Sequence, residues 1–150
     1  MVALCGPLGA GKTSFARGLA EGLGVSPEAV ASPTFVIASE YELPGGRRLA
    51  HVDLYRLRGV AELEAAGFLD LLDSETVVVV EWADRFPEAL PSDHLELRIE
   101  RPPGQAAAAR RVLHARATGT SSRAVLTRWQ RALDAPEPEP LDTPEHGGPV

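Results

Sequence analysis

A lysine placed to take hold of a phosphate chain stands at Lys12, inside Gly6-Pro7-Leu8-Gly9-Ala10-Gly11-Lys12-Thr13. The run is a complete G-x-x-x-x-G-K-[ST] pattern, in which loop N–H groups surround phosphate oxygens and the lysine reaches the outer phosphates. Lys12 is the chain's one lysine; the other 14 of its 15 basic residues are arginine. A compact ammonium on a thin stem can curl over a glycine loop, where a planar guanidinium would have to fork. The N–H groups of Gly9 to Thr13 can converge on an anion, helped by the positive end of a following helix. The Thr13 hydroxyl is expected to ligate Mg²⁺. This chemistry is nucleoside triphosphate binding, and the motif alone leaves the reaction open.

Such a site needs oxygen ligands for the cation and a group that orients the attacking water. Glu81 follows four valines, and a carboxylate at the end of a central strand faces ligands in an open α/β sheet. It is the leading candidate for metal binding and water positioning. Asp53 also ends an apolar run, in His51-Val52-Asp53-Leu54-Tyr55-Arg56, and suits water-mediated Mg²⁺ contact or a second catalytic role. His51 reads as packed or hydrogen-bonded rather than as a ligand. Ser32-Pro33-Thr34-Phe35 is a proline-stiffened polar turn whose Thr34 could sense a γ-phosphate, or simply lead into the next strand. Cys5 reads as a packing residue; a lone cysteine forms no internal disulfide.

The elements that must position these groups follow in order. Val2 to Cys5 is a short apolar run ending at Gly6, read as a buried strand. Phe15, Ala16, Leu19, Ala20 and Leu23 form a helical stripe stopped by Gly22 and Gly24. Residues 36–42 and 48–53 read as strands joined at Pro44-Gly45-Gly46 into an antiparallel hairpin. Residues 60–66 suggest a short helix, and Thr76 to Val80 a strand buried on both faces. Residues 94–100 alternate with period two, and 111–117 form a weaker strand. Ser121-Ser122 is expected to cap a terminal helix that carries Val125, Trp129 and Leu133 on one stripe. The fold class predicted is α/β, a three-layer P-loop NTPase-like domain with a mixed, mainly parallel sheet.

At 150 residues the chain is long enough for one domain with a real core. The net charge of −6 is uneven: residues 134–150 hold five acidic and no Lys or Arg residues, leaving the rest at −1. That Pro-rich tail is expected to be disordered, with the domain spanning residues 1–133. A near-neutral body without an arginine–aromatic patch argues against direct tRNA or DNA binding. No apolar stretch nears the roughly 20 residues of a membrane helix, and no leader pattern precedes the loop. A cytoplasmic protein with no membrane partner is expected.

Taken together, G-x-L-G-A-G-K-T, S-P-T-F, H-x-D-L-Y-R and E-W, in this order, resemble the bacterial TsaE ATPases over about residues 2–117. The resemblance implies a small protein that binds ATP and Mg²⁺ and serves N6-threonylcarbamoyladenosine (t6A) formation in tRNAs reading codons that begin with A. Its implied partners are a TsaB–TsaD-type complex, with tRNA reached only through them. Hydrolysis would reset that complex, without forming the carbamoyl bond. By this resemblance Lys12, Asp53 and Glu81 are catalytic, and Thr13 and Glu81 hold the metal. The nucleotide lies against Gly6, Leu8, Gly9, Ala10, Gly11, Lys12, Thr13 and Ser14, with Thr34 in a switch-like loop. Trp82 would lie near the nucleotide or buttress Glu81; alone it reads equally well as a core plug. Arg110 or Arg111 could approach the phosphates, although a solvated strand face is the better reading. Pro7 replaces the family's usual Asp and removes an N–H. The family's extra upstream helix and strand do not precede Met1, which leaves two readings, a late start or another element covering that edge; on the first, the first strand would have lost a neighbour. Rival readings are a P-loop small-molecule kinase, with Arg56 and Arg58 but no arginine-rich lid, and a non-catalytic nucleotide-gated adaptor.

Overall fold

The apolar runs become strands of a single sheet in a computed structural model that describes residues 1–26, 37–102 and 110–135. The strands are β1 (Val2–Cys5), β2 (Ala38–Glu42), β3 (Arg48–Asp53), β4 (Thr76–Glu81), β5 (Leu95–Glu100) and β6 (Val112–Ala117). Their order across the sheet is β2-β3-β4-β1-β5-β6. The four inner strands run parallel, and β2 and β6 close the edges antiparallel to β3 and β5. Among the described residues the α-helices are α1 (Lys12–Gly22), α2 (Val60–Ala65) and α3 (Thr120–Leu133), with short 3-10 turns between α2 and β5.

Strand side chains alternate between faces, so each inner strand supplies two layers. Leu4, Leu49, Val79, Leu95 and Leu97 pack under Ala16 and Ala20 of α1, with Leu126 and Trp129 of α3 against the same cluster. Ala3, Cys5, Ala50, Val52, Val78 and Val80 face the other way, against Leu54, Leu63 and Phe68. The result is the mixed three-layer α/β domain expected. The small Ala16 and Ala20 side chains, fully buried, let α1 lie close to the sheet.

The differences have physical reasons. The first strand does not lack a neighbour: β1 pairs with β4 on one side and β5 on the other. Neither serine sits at the cap position: α3 opens at Thr120 with Gly119 there, and Ser122 contributes to the capping from the third helical position, its Oγ accepting the Gly119 N–H at 3.0 Å. The Ser121 and Ser122 N–H groups donate to Asp93, at 2.8 and 2.9 Å. A Cβ on residue 119 would collide with the Asp93 side chain, so glycine there makes room for a cap borrowed from the loop before β5. The inward stripe of α3 runs through Ser122, Leu126 and Trp129, leaving Val125 and Leu133 exposed. The turn at 32–35 and the tail from 136 lie outside the described residues.

Candidate functional site

The phosphate loop leaves β1 close against the backbone of β5. Gly6 has φ +135°, and a Cβ there would run into the Ile99 carbonyl oxygen of β5, so both torsion and space demand glycine. Pro7 lends its carbonyl to the Ala10 N–H at 3.2 Å, closing the turn its missing N–H could not close as a donor. Ala10 is fully buried beneath the loop, and Leu8 projects outward, 78% exposed. Gly11, at φ 112°, starts α1 with no side-chain cap, so the N–H groups of the first turn meet no competing side-chain acceptor.

Lys12 is folded back over this loop. Its Nζ donates to the carbonyls of Gly6 at 2.7 Å and Pro7 at 2.9 Å and lies 3.4 Å from the centre of the Trp82 ring. Burial of the ammonium pushes its pKa below the ordinary lysine value, while Glu81, Asp84 and Asp53 pull it back up. Two arginines hold the outer side of the loop. Arg101 Nη2 donates to Gly9 O at 2.6 Å, and Arg111 Nε to Ala10 O at 2.8 Å. Arg111 is thus not on a solvated strand face: it grips the loop and lines the cavity.

The carboxylates come from neighbouring strand ends. Parallel register sets Asp53 of β3 opposite Glu81 of β4 and His51 opposite Val79. Glu81 is buried; its Oε2 accepts the Thr13 hydroxyl at 2.9 Å, and its Oε1 lies 2.8 Å from His51 Nε2. Asp53 accepts the Tyr55 N–H at 2.9 Å. Burial raises the Asp53 pKa; the Tyr55 bond opposes this and the negative Glu81 reinforces it.

Trp82 follows at φ 59°, a left-handed conformation that costs a non-glycine residue about 1–3 kcal/mol. The torsion turns its ring off the strand direction and onto Lys12 and Tyr55, whose ring centre is 4.9 Å away. It is a wall of the site rather than a core plug. The cleft, open to solvent on one side, has a volume of about 390 Å³; Gly9, Gly11, Lys12, Thr13, Ser14, Asp53, Glu81 and Trp82 all line it. Thr34 lies outside the described residues. Sequence reasoning missed Arg101, Tyr55 and the His51–Glu81 bond as parts of the site. The last had one readable signal: His51 and Asp53, two apart on a strand, must share a face.

The arrangement brings a glycine loop, an ammonium and hard oxygen donors together at one end of the sheet, and the chain as a whole is similar to known proteins. The family model for "Threonylcarbamoyl adenosine biosynthesis protein TsaE" matches residues 1–112. The chain is 49% identical over 125 residues to the tRNA threonylcarbamoyladenosine biosynthesis protein TsaE of Streptomyces coelicolor, covering 82% of each. The TsaE proteins of Mycobacterium tuberculosis (strain H37Rv) and Bacillus subtilis are each 43% identical, over 108 and 101 residues. Those alignments cover 67% of this chain and 64% and 61% of the respective relatives, so the match spans somewhat under two thirds of their length. The crystal structure of Bacillus subtilis YdiB superposes with a TM-score of 0.65 at 32% identity, covering 87% of this chain and 76% of that one. With the family model matched across three quarters of its length, the chain belongs to the TsaE family.

Proposed function

We propose that this chain is a Mg²⁺-dependent ATP hydrolase in tRNA threonylcarbamoyladenosine biosynthesis, weak alone and stimulated by a TsaB–TsaD-type complex in the cytoplasm. The observation that carries the reading is the Thr13 hydroxyl 2.9 Å from the Glu81 carboxylate, directly below the lysine-bearing loop. Both are hard oxygen donors, and Mg²⁺ is held by one or two protein oxygens together with substrate phosphates. The residues fit the cation: Thr13 and Glu81 would hold it, and when bound it neutralises charge on the outer phosphates.

Loop N–H groups and the start of α1 bind and orient the phosphates. Lys12 exchanges the Gly6 and Pro7 carbonyls for phosphate oxygens. Asp53, in register with Glu81 at the neighbouring strand end, orients the attacking water through its carboxylate in this reading. Water oxygen bonds to the γ-phosphorus as the bond to the β–γ bridging oxygen breaks, and the water's proton leaves with inorganic phosphate or to solvent. Trp82 and Tyr55 wall the phosphates from bulk water. The energy released resets the partner complex and makes no carbamoyl bond.

Phosphate release measured with and without a purified TsaB–TsaD complex tests this reading. Release without any acceptor, stimulated by the complex and falling at least about 100-fold in Glu81→Gln with ATP binding retained, is the expected result. Release only with a small-molecule acceptor would make the chain a kinase. Nucleotide-dependent complex formation without turnover would make it an adaptor.

A further inference from the structure

His51 is fully buried in the middle of β3, on the sheet face covered by α1. An imidazole opposite Val79 and on the strand face that carries Leu49 needs a polar reason, because an unmatched buried polar group costs about 1–3 kcal/mol. One ring nitrogen has a partner and the other has none: Nε2 lies 2.8 Å from Glu81 Oε1, and Nδ1 is buried without a hydrogen bond. The other oxygen of Glu81 already accepts the Thr13 hydroxyl. A carboxylate only accepts, so the hydrogen between His51 and Glu81 belongs to Nε2. The bare Nδ1 is then a lone pair in an apolar layer, with no N–H stranded there.

We propose that His51 is a positioning residue for the cation site, acting through Glu81. Its Nε2–H occupies Oε1 and locks the flexible glutamate so that Oε2 alone is presented to Thr13 and to a cation held with the nucleotide. Glu81 then meets the cation through one oxygen in a fixed direction, which suits the strict octahedral demand of Mg²⁺. Partners that orient a metal's ligands in this way are typically worth 10–100-fold in metal affinity or activity. The inference rests on the Mg²⁺–nucleotide reading of the site.

The test compares the full chain with His51→Gln, His51→Asn and His51→Leu. A glutamine amide N–H can reach the position of Nε2; that of asparagine stops near Nδ1. Calorimetric Mg²⁺ titration of the ADP-loaded proteins is expected to show His51→Gln within about threefold of the parent. His51→Asn and His51→Leu should weaken Mg²⁺ by about 10–100-fold. ADP affinity in EDTA should stay within about threefold for all of them. Unchanged Mg²⁺ affinity in the Asn variant, a Gln variant as weak as Asn, or an equal loss of ADP affinity in EDTA would overturn the proposal. Thermal melts report folding, and if the leucine variant does not fold, the Asn–Gln pair decides alone. A parent chain that binds ADP with no Mg²⁺ coupling overturns the cation reading itself, and this inference with it.

Discussion

Lys12 occupies two environments in the functional cycle proposed for it, loop carbonyls and phosphate oxygens, and in both it is an ammonium removed from water. Two carbonyl bonds and the Trp82 ring hold it in place, and the carboxylates of Glu81, Asp84 and Asp53 oppose the desolvation that lowers its pKa. Lys12→Ala should therefore weaken ATP binding by about 1.5–3 kcal/mol, the range for charged hydrogen bonds; unchanged affinity by calorimetry would remove the phosphate-loop assignment. Asp53 carries a cost of the opposite kind. Its folded pKa is raised above 3.8, so the folded chain holds the proton longer than the unfolded chain does. Stability is lost as pH climbs from 3.8 through the raised value, and the carboxylate is strained at neutral pH. Asp53→Asn keeps an acceptor for Tyr55 and should be more stable than the parent above that window, yet slower in phosphate release. Urea unfolding at a series of pH values checks the first half; equal curves would mean that burial imposes no strain.

At the scale of elements, α3 depends on a residue outside itself. The serine N–H groups hold the Asp93 carboxyl well below its ordinary value, with the Ser122 side chain the largest contributor. A depressed folded pKa stabilises above the unfolded value of 3.8, and the stabilisation is lost as pH falls below that value toward the folded pKa. Asp93→Ala should lower the melting temperature at neutral pH, with the difference shrinking at strongly acidic pH. A constant difference across that range would assign the effect to packing. This cap also marks where sequence reading fails. The phosphate loop is contiguous, so its glycines, lysine and threonine are legible in one line. Most strands are legible too, because alternation and valine runs are local signals. The His51–Glu81 bond, the Asp93 cap and the grip of Arg101 and Arg111 join residues 28 to 101 positions apart. They depend on register and loop trajectory, which no local pattern encodes. The stripe of α3 was misread because Val125 and Leu133 are apolar, while the inward position at its first turn is the polar Ser122.

The whole molecule joins a near-neutral body to a tail of charge −5. Nonspecific nucleic-acid affinity comes from neutralised phosphates, and this body offers little net positive charge for that purpose. The isolated chain should bind tRNA no more tightly than about 10 μM at physiological salt, within the range of nonspecific binding; submicromolar retention in a filter assay would overturn this. The sheet order has a consequence for the lifetime of the site. β1 sits between β4 and β5, so the strand that carries the phosphate loop and the strand that carries Glu81 are covered on both edges. Their amide protons can exchange with deuterated water only when the whole domain opens, while exposed β6 and the α3 behind it can open on their own. A defect at the α3 end of the sheet should therefore hasten exchange there and leave β1 and β4 protected. Nucleotide-binding competence would then outlast local melting of the edge, vanishing only with the domain as a whole.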